Sequence, residues 1–216
     1  MGLIDAVDAG ACAALWRSDD PKLYTAALAS LEAKQATKKT KYGDLNKLHA
    51  KWVALEKTLR KNGELSKKEL QTVMSFKLTR GKMRPLMRFV DAADDGAVRS
   101  ASRAALAALT ASSSSADCGA AFGSMSLPGV GVATVSVIFA AADPRFAIMS
   151  DAALEACCGA PAHKKTYGLD EYRALLEALE TKAAALGDGW SPRSVEIALY
   201  AASLVAGPKK RKREEE

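Results

Sequence analysis

Cysteine and histidine are scarce in this chain, with four cysteines and two histidines among 216 residues. Cys12, Cys118, Cys157 and Cys158 form no C-x-x-C pair, and only His49 and His163 stand beside them, which argues against a zinc site. Adjacent Cys157 and Cys158 read as helix packing, and reduced thiols fit an intracellular compartment. No apolar run has the length of a membrane span, so no membrane partner is expected. Met1 to Ala14 carries Asp5 and Asp8 and lacks a basic leader, which argues against a secretory signal. Alternating strand patterns and internal repeats are also missing. Alanine-rich segments with helical spacing take their place, and the expectation is an all-α protein.

What is present is enough apolar material for one sizeable core, 49% hydrophobic against 26% charged. We expect a single globular unit of two helical lobes over residues 1–207 and a basic tail over 208–216. Charge is unevenly spread. Residues 34–88 hold 16 Lys and Arg against 4 Asp and Glu, a net +12, and the tail adds +2; with +6 for the whole chain, the rest carries −8. A basic lobe beside an acidic one suggests a surface that faces a polyanion.

Helix signals follow in order. Asp19-Asp20-Pro21 opens a helix through Leu31, with Leu23, Tyr24, Ala27, Leu28 and Leu31 as its stripe. Lys38 to Lys41 reads as a connector. Leu45, Leu48, Trp52, Leu55 and Leu59 space a helix that stops near Asn62-Gly63. Ser66 and Glu69 make a capping box ahead of Leu70, Val73, Met74 and Leu78. Gly81 and Pro85 end that helix, leaving a loop expected to present Lys77, Arg80, Lys82 and Arg84. Val98 to Leu109 is helical, and Ala111 to Ser126 reads as a linker. Helices are expected from Asp151 to Ala160, from an Asp170 cap to Leu186, and from Ser191-Pro192 onward.

The sharpest local motif is Leu127-Pro128-Gly129-Val130-Gly131, a tight turn opening onto the helical run Thr134, Val137, Ile138, Phe139 and Ala141. Unpaired N–H groups and the dipole at such a helix start attract a phosphate. Glycine at 129 and 131 permits positive φ and a close approach by the phosphate. Asp143-Pro144 breaks the run, and Ser150-Asp151 follows.

This layout, specific over about residues 127 to 155, resembles the helix-hairpin-helix DNA glycosylase superfamily, in which an LPGVG-type hairpin precedes the catalytic aspartate by one helix and a loop. Met74 to Pro85, the hairpin, Ser150-Asp151 and Val195 to Tyr200 together are similar to the Amun family of eukaryotic nuclear proteins, regarded as DNA glycosylases. The resemblance implies Asp151 as the catalytic carboxylate. It implies duplex DNA contacts at Leu127, Gly129, Val130, Gly131, Ala133 and Thr134, with Arg80, Lys82 and Arg84 from the basic loop. It leaves room for a monovalent cation at the hairpin as the sole cofactor, and the four-cysteine iron–sulfur loop of some members is missing. Bifunctional members carry a lysine where this chain has Ala133, so monofunctional removal of a damaged or mismatched base, without a lyase step, is expected.

Taken by itself, Asp151 reads as a helix cap. A non-catalytic DNA-binding or scaffold protein therefore remains the alternative, and polyanion binding by the basic lobe alone a third. Lys209, Lys210, Arg211, Lys212 and Arg213 form a proline-led basic cluster of nuclear-import type, which implies an import receptor as partner and the nucleus as location.

Overall fold

Five helices begin where an Asp or Ser precedes the first turn, because that side chain satisfies N–H groups the turn leaves unpaired. The computed structural model describes residues 9–111, 117–159 and 165–204. Among these residues the order is α1 (Ala9–Arg17), α2 (Pro21–Gln35), β1 (Lys39–Thr40), β2 (Gly43–Asp44), α3 (Leu45–Asn62), α4 (Lys67–Arg80), α5 (Met87–Ala92), α6 (Asp95–Ala111), α7 (Gly119–Ser124), α8 (Val132–Ala142), α9 (Asp151–Cys158), α10 (Leu169–Leu186) and α11 (Pro192–Ser203). The class is all-α apart from the small antiparallel β1–β2 pair.

Asp20, Asp44, Ser66, Ser150 and Ser191 all cap by side chain, and Ser66 with Glu69 closes the expected capping box. Gly63 ends α3 in the left-handed region at φ 65°, where a Cβ is disfavoured. Several local expectations are corrected. The basic connector is the β hairpin, whose Asp44 caps α3. Within the expected linker, 117–126 includes α7, and Phe122 and Met125 enter the core; residues 112–116 lie outside the described residues. Helix α9 stops at Cys158 because Gly159 turns left-handed, and Cys158 is exposed instead of packed. Asp170 is an exposed first-turn residue paired with Arg173, while Gly168 holds the N-cap of α10. Leu23 is exposed, and Tyr24 and Leu31 carry the burial of α2.

The principal packing pairs sort the helices into two sets. The terminal helices α1, α2, α9, α10 and α11 pack on one another, and α3 to α8 pack on one another. Buried side chains from Cys12 to Ala201 belong to a single cluster. Helix α8 lies deepest: every residue from Thr134 to Ala141 is buried, and the Trp52 indole of α3 donates to the Val137 carbonyl at 2.9 Å. An amphipathic pattern cannot describe such a helix, because every face meets protein. Behind it, the Met149 N–H donates to Ser136 Oγ at 2.9 Å and Tyr172 Oη donates to the Ala147 carbonyl at 3.0 Å. Those two bonds fix the extended segment that delivers Ser150 and Asp151.

No helix among the described residues is long and apolar enough to cross a membrane. The basic cluster 209–213 lies outside the described residues.

Candidate nucleic-acid interface and carboxylate site

The hairpin turns as its sequence dictates. Val130 N–H donates to the Leu127 carbonyl at 3.0 Å, with Pro128 exposed and Gly129 at φ 74°, the residue pattern of a type II turn. Gly129 is also sterically required, since a Cβ there would lie 2.7 Å from the Phe89 Cβ in α5. Gly131 differs. Its φ of −94° with ψ −179° is extended backbone open to any residue, and nothing lies within 4 Å of a Cβ built on it. It is exposed and forms the N-cap of α8, a cap without a side-chain hydrogen bond, unlike those of α2, α3, α4, α9 and α11. By helix geometry the N–H groups of Val132 and Ala133 have no intrahelical acceptor, so this terminus keeps donors and a positive dipole end.

Two of the expected DNA contacts are corrected here, and a third is narrowed. Val130 is buried and its N–H is used inside the turn, so it contributes shape and no free donor. Thr134 is fully buried, and its Oγ1 accepts from Lys77 Nζ at 2.8 Å. Leu127 and Ala133 are partly buried against the core, leaving backbone as what Ala133 can offer.

The basic loop divides sharply. Lys82, Met83, Arg84 and Pro85 are exposed, and Phe89 of the following helix lies against Gly129. Arg80 is the correction. It closes α4 with only 6% exposure, and its Nη2 donates to both carboxylate oxygens of Glu196 in α11, at 3.0 and 2.9 Å. Its guanidinium lies 3.8 Å from the Tyr200 ring centroid, and buried Nη1 has no hydrogen-bond partner. Arg80 is therefore part of the core and absent from the surface. Beside it, burial and the Arg80 charge lower the His49 pKa to about 4; the ring stacks on Phe76, and its Nδ1 lies 3.2 Å from Gln35 Oε1.

Asp151 occupies the first position of α9, and Ser150 does the capping by accepting from the Ala153 N–H. The Asp151 carboxylate is one-third exposed and receives a hydrogen bond from Tyr167 Oη at 2.6 Å. Lys165, its side chain fully covered, approaches Asp151 Oδ1 at 3.5 Å and donates to the Asp151 carbonyl at 3.1 Å and to Glu155 at 2.8 Å. Tyr167 takes φ 53°, the left-handed region that a bulky side chain rarely enters, and its N–H is held by Glu171 at 2.6 Å. Burial, then the bond to Asp151, raises its phenol pKa, so Tyr167 stays protonated and donating. The Arg84 guanidinium stands 5.3 Å from the Tyr167 ring.

Two separate contacts bear on this site: Gly129 of the hairpin lies against Phe89 in α5, and Arg84, in the loop ahead of α5, stands by Tyr167, which donates to Asp151. Tyr167 and Lys165 were missed in the sequence because each acts on Asp151 from beyond its own helix. Asp151 lines neither the aromatic pocket around Arg80 and His49 nor the cleft between α3 and α6. Among the described residues no three His, Cys, Asp or Glu gather as a metal-binding group. Comparison with protein-family models, curated proteins and solved structures finds no match.

Proposed function

We propose that this protein is a nuclear DNA glycosylase of helix-hairpin-helix, two-lobed type, releasing a damaged or mismatched base from duplex DNA. The observation that carries this reading is that exposed Arg84, from the loop leading into the helix that packs on the hairpin, stands by Tyr167, which in turn donates to Asp151. The start of α8 and the exposed Lys82 and Arg84 hold backbone phosphates on either side of a flipped nucleotide. Asp151 steadies the oxocarbenium-like sugar as the N-glycosidic bond breaks and orients the water that adds to it. Tyr167 and Lys165 position the carboxylate. Tail residues 209–213 recruit an import receptor, so deleting them from a large fluorescent fusion abolishes nuclear accumulation.

The test is Asp151→Asn on a panel of duplexes carrying uracil, alkylated, oxidised and mismatched bases. Ser150 remains to cap α9, so the variant keeps its fold and its DNA affinity while base release disappears. The engagement of Asp151 by Tyr167 and Lys165 also favours a second reading, a DNA-binding scaffold in which the carboxylate is structural. Equal inertness of wild type and variant, with both binding DNA, selects that reading.

A further inference from the structure

Helix α3 carries an outer face of one sign. Lys47, Lys51, Lys57 and Lys61 fall within about 120° of its circumference, with Ala50 and Ala54 between them, and all of these residues are exposed. Among the described residues none of these lysines pairs with a carboxylate. The sole acid of α3, Glu56, is held by Arg60 at 2.8 Å and by Arg193 of α11 at 3.5 Å. The arginines of α6 and α10 are paired instead, Arg99 with Asp95 and Glu64, Arg103 with Glu64 and Arg173 with Asp170.

Lys47 with Lys51, and Lys57 with Lys61, stand one helical turn apart, so each meets a like charge that weakens the helix. A merely solvated face has no use for that repulsion, and α3 keeps its place by burying Leu45, Leu48, Trp52, Leu55 and Leu59 on the opposite side. A polyanion relieves it. The small Ala50 and Ala54 leave the surface between the lysines low, so that a phosphate backbone can come close. Two bonds join this face to the site. The Thr40 and Thr79 hydroxyls lie 2.7 Å apart, and Lys38 Nζ donates to the Arg80 carbonyl at 3.0 Å, which pins the β1–β2 hairpin to the end of α4. The start of α3, with Lys47 and Lys51, is thereby set beside the loop that carries Lys82 and Arg84.

We infer that the outer face of α3 is a second phosphate-binding surface, along which the duplex flanking the Asp151 site lies. The inference rests on the DNA reading above and extends its footprint from the start of α8 and the Lys82 to Arg84 loop onto a face with no part in base release. From Lys47 to Lys61 the lysines run about 21 Å, at roughly 1.5 Å per residue. At about 3.4 Å per base pair, that length follows about six base pairs of duplex. Helix α3 exposes no aromatic ring, since Trp52 is buried and His49 stacks inward on Phe76. The surface therefore grips backbone and reads no base, and it holds any sequence equally.

The experiment titrates the full chain with a fluorescein-labelled duplex at several salt concentrations, for wild type and for the variant combining Lys47→Gln, Lys51→Gln, Lys57→Gln and Lys61→Gln. The variant should lower the slope of log K against log salt by about 3 to 4, at roughly one released counterion per lysine. Its melting midpoint should equal or exceed that of wild type, because two repulsive pairs are gone. Acetylation of wild-type lysines by a succinimidyl ester, mapped by mass spectrometry, should show these lysines protected by duplex while exposed Lys22 at the start of α2 stays reactive. A salt slope equal to wild type overturns the assignment, as does undiminished acetylation of the α3 lysines in the saturated complex. The wild-type map decides the matter even if the variant misfolds. A loss confined to single-stranded RNA, with duplex affinity unchanged, overturns it as well. If Lys82→Ala and Arg84→Ala weaken duplex binding and the α3 variant does not, the DNA reading stands and the α3 surface falls; if wild type binds no duplex, both fall.

Discussion

Arg80 and Glu196 stand 116 residues apart in sequence and meet in the core, where one guanidinium nitrogen donates to both oxygens of a fully buried carboxylate. The bond ties α4 of the central set of helices to α11 of the terminal set. Tyr200 completes the arrangement from both sides, its ring against the guanidinium and its hydroxyl donating to the Arg80 carbonyl at 3.2 Å.

Removing one partner leaves the other charged and dry. Glu196→Gln and Arg80→Met should each cost about 3–5 kcal/mol. The double variant Arg80→Met with Glu196→Leu should recover most of that loss, because it buries no unpaired charge. Urea unfolding of the three variants checks this, and single variants that unfold within about 1 kcal/mol of wild type refute the buried-pair account.

The two hairpin glycines should separate cleanly. Gly129→Ala forces a side chain into positive φ and against Phe89, costing about 1–3 kcal/mol of stability. Gly131→Ala meets no atom and needs no strained backbone, so its melting curve should overlay wild type while duplex binding weakens at the mouth of α8. Unchanged affinity in the folded Gly131→Ala protein would rule out phosphate contact there.

Acid stability should carry a signature of His49. Its folded pKa, about 4, is depressed from 6.5, so between those values the unfolded chain binds a proton that the native ring refuses. Its contribution is whole above pH 6.5 and is lost as pH falls through the window, at up to about 1.4 kcal/mol per unit. Asp44, Glu64 and Asp95, whose pKa values are lowered chiefly by hydrogen bonds, lose theirs at more acid pH. Denaturant midpoints of His49→Gln followed from pH 7 to 4 should show a flatter slope; an unchanged slope contradicts the assignment.

Duplex affinity should fall steeply with salt through Lys82 and Arg84. Replacing either with alanine should reduce the slope of log K against log salt by about 1, since each releases roughly one counterion. Fluorescence anisotropy at several salt concentrations measures it, and slopes equal to wild type would remove this loop from the interface.

Local signals made the helices legible. Asp20, Ser66 and Ser191 announce their caps, Gly63 its left-handed stop, and Leu127 to Gly131 its turn, because each depends on neighbours within four residues. Sequence by itself determined the all-α class, the start of α9 at Asp151, and a basic loop ahead of Pro85. Tertiary structure decided which of those basic residues reach solvent. Arg80 and Lys77 fall on faces of α4 that meet α11 and α8, and no periodicity within α4 reports what chemistry waits across that contact. It likewise decided the company of Asp151: Tyr167 and Lys165 come from the segment before α10, held there by a strained backbone and by Glu171. Spacing along one helix encodes which face is buried, whereas the partner of a buried polar group is set by how separate helices pack, and only the folded chain brings those atoms within 3 Å.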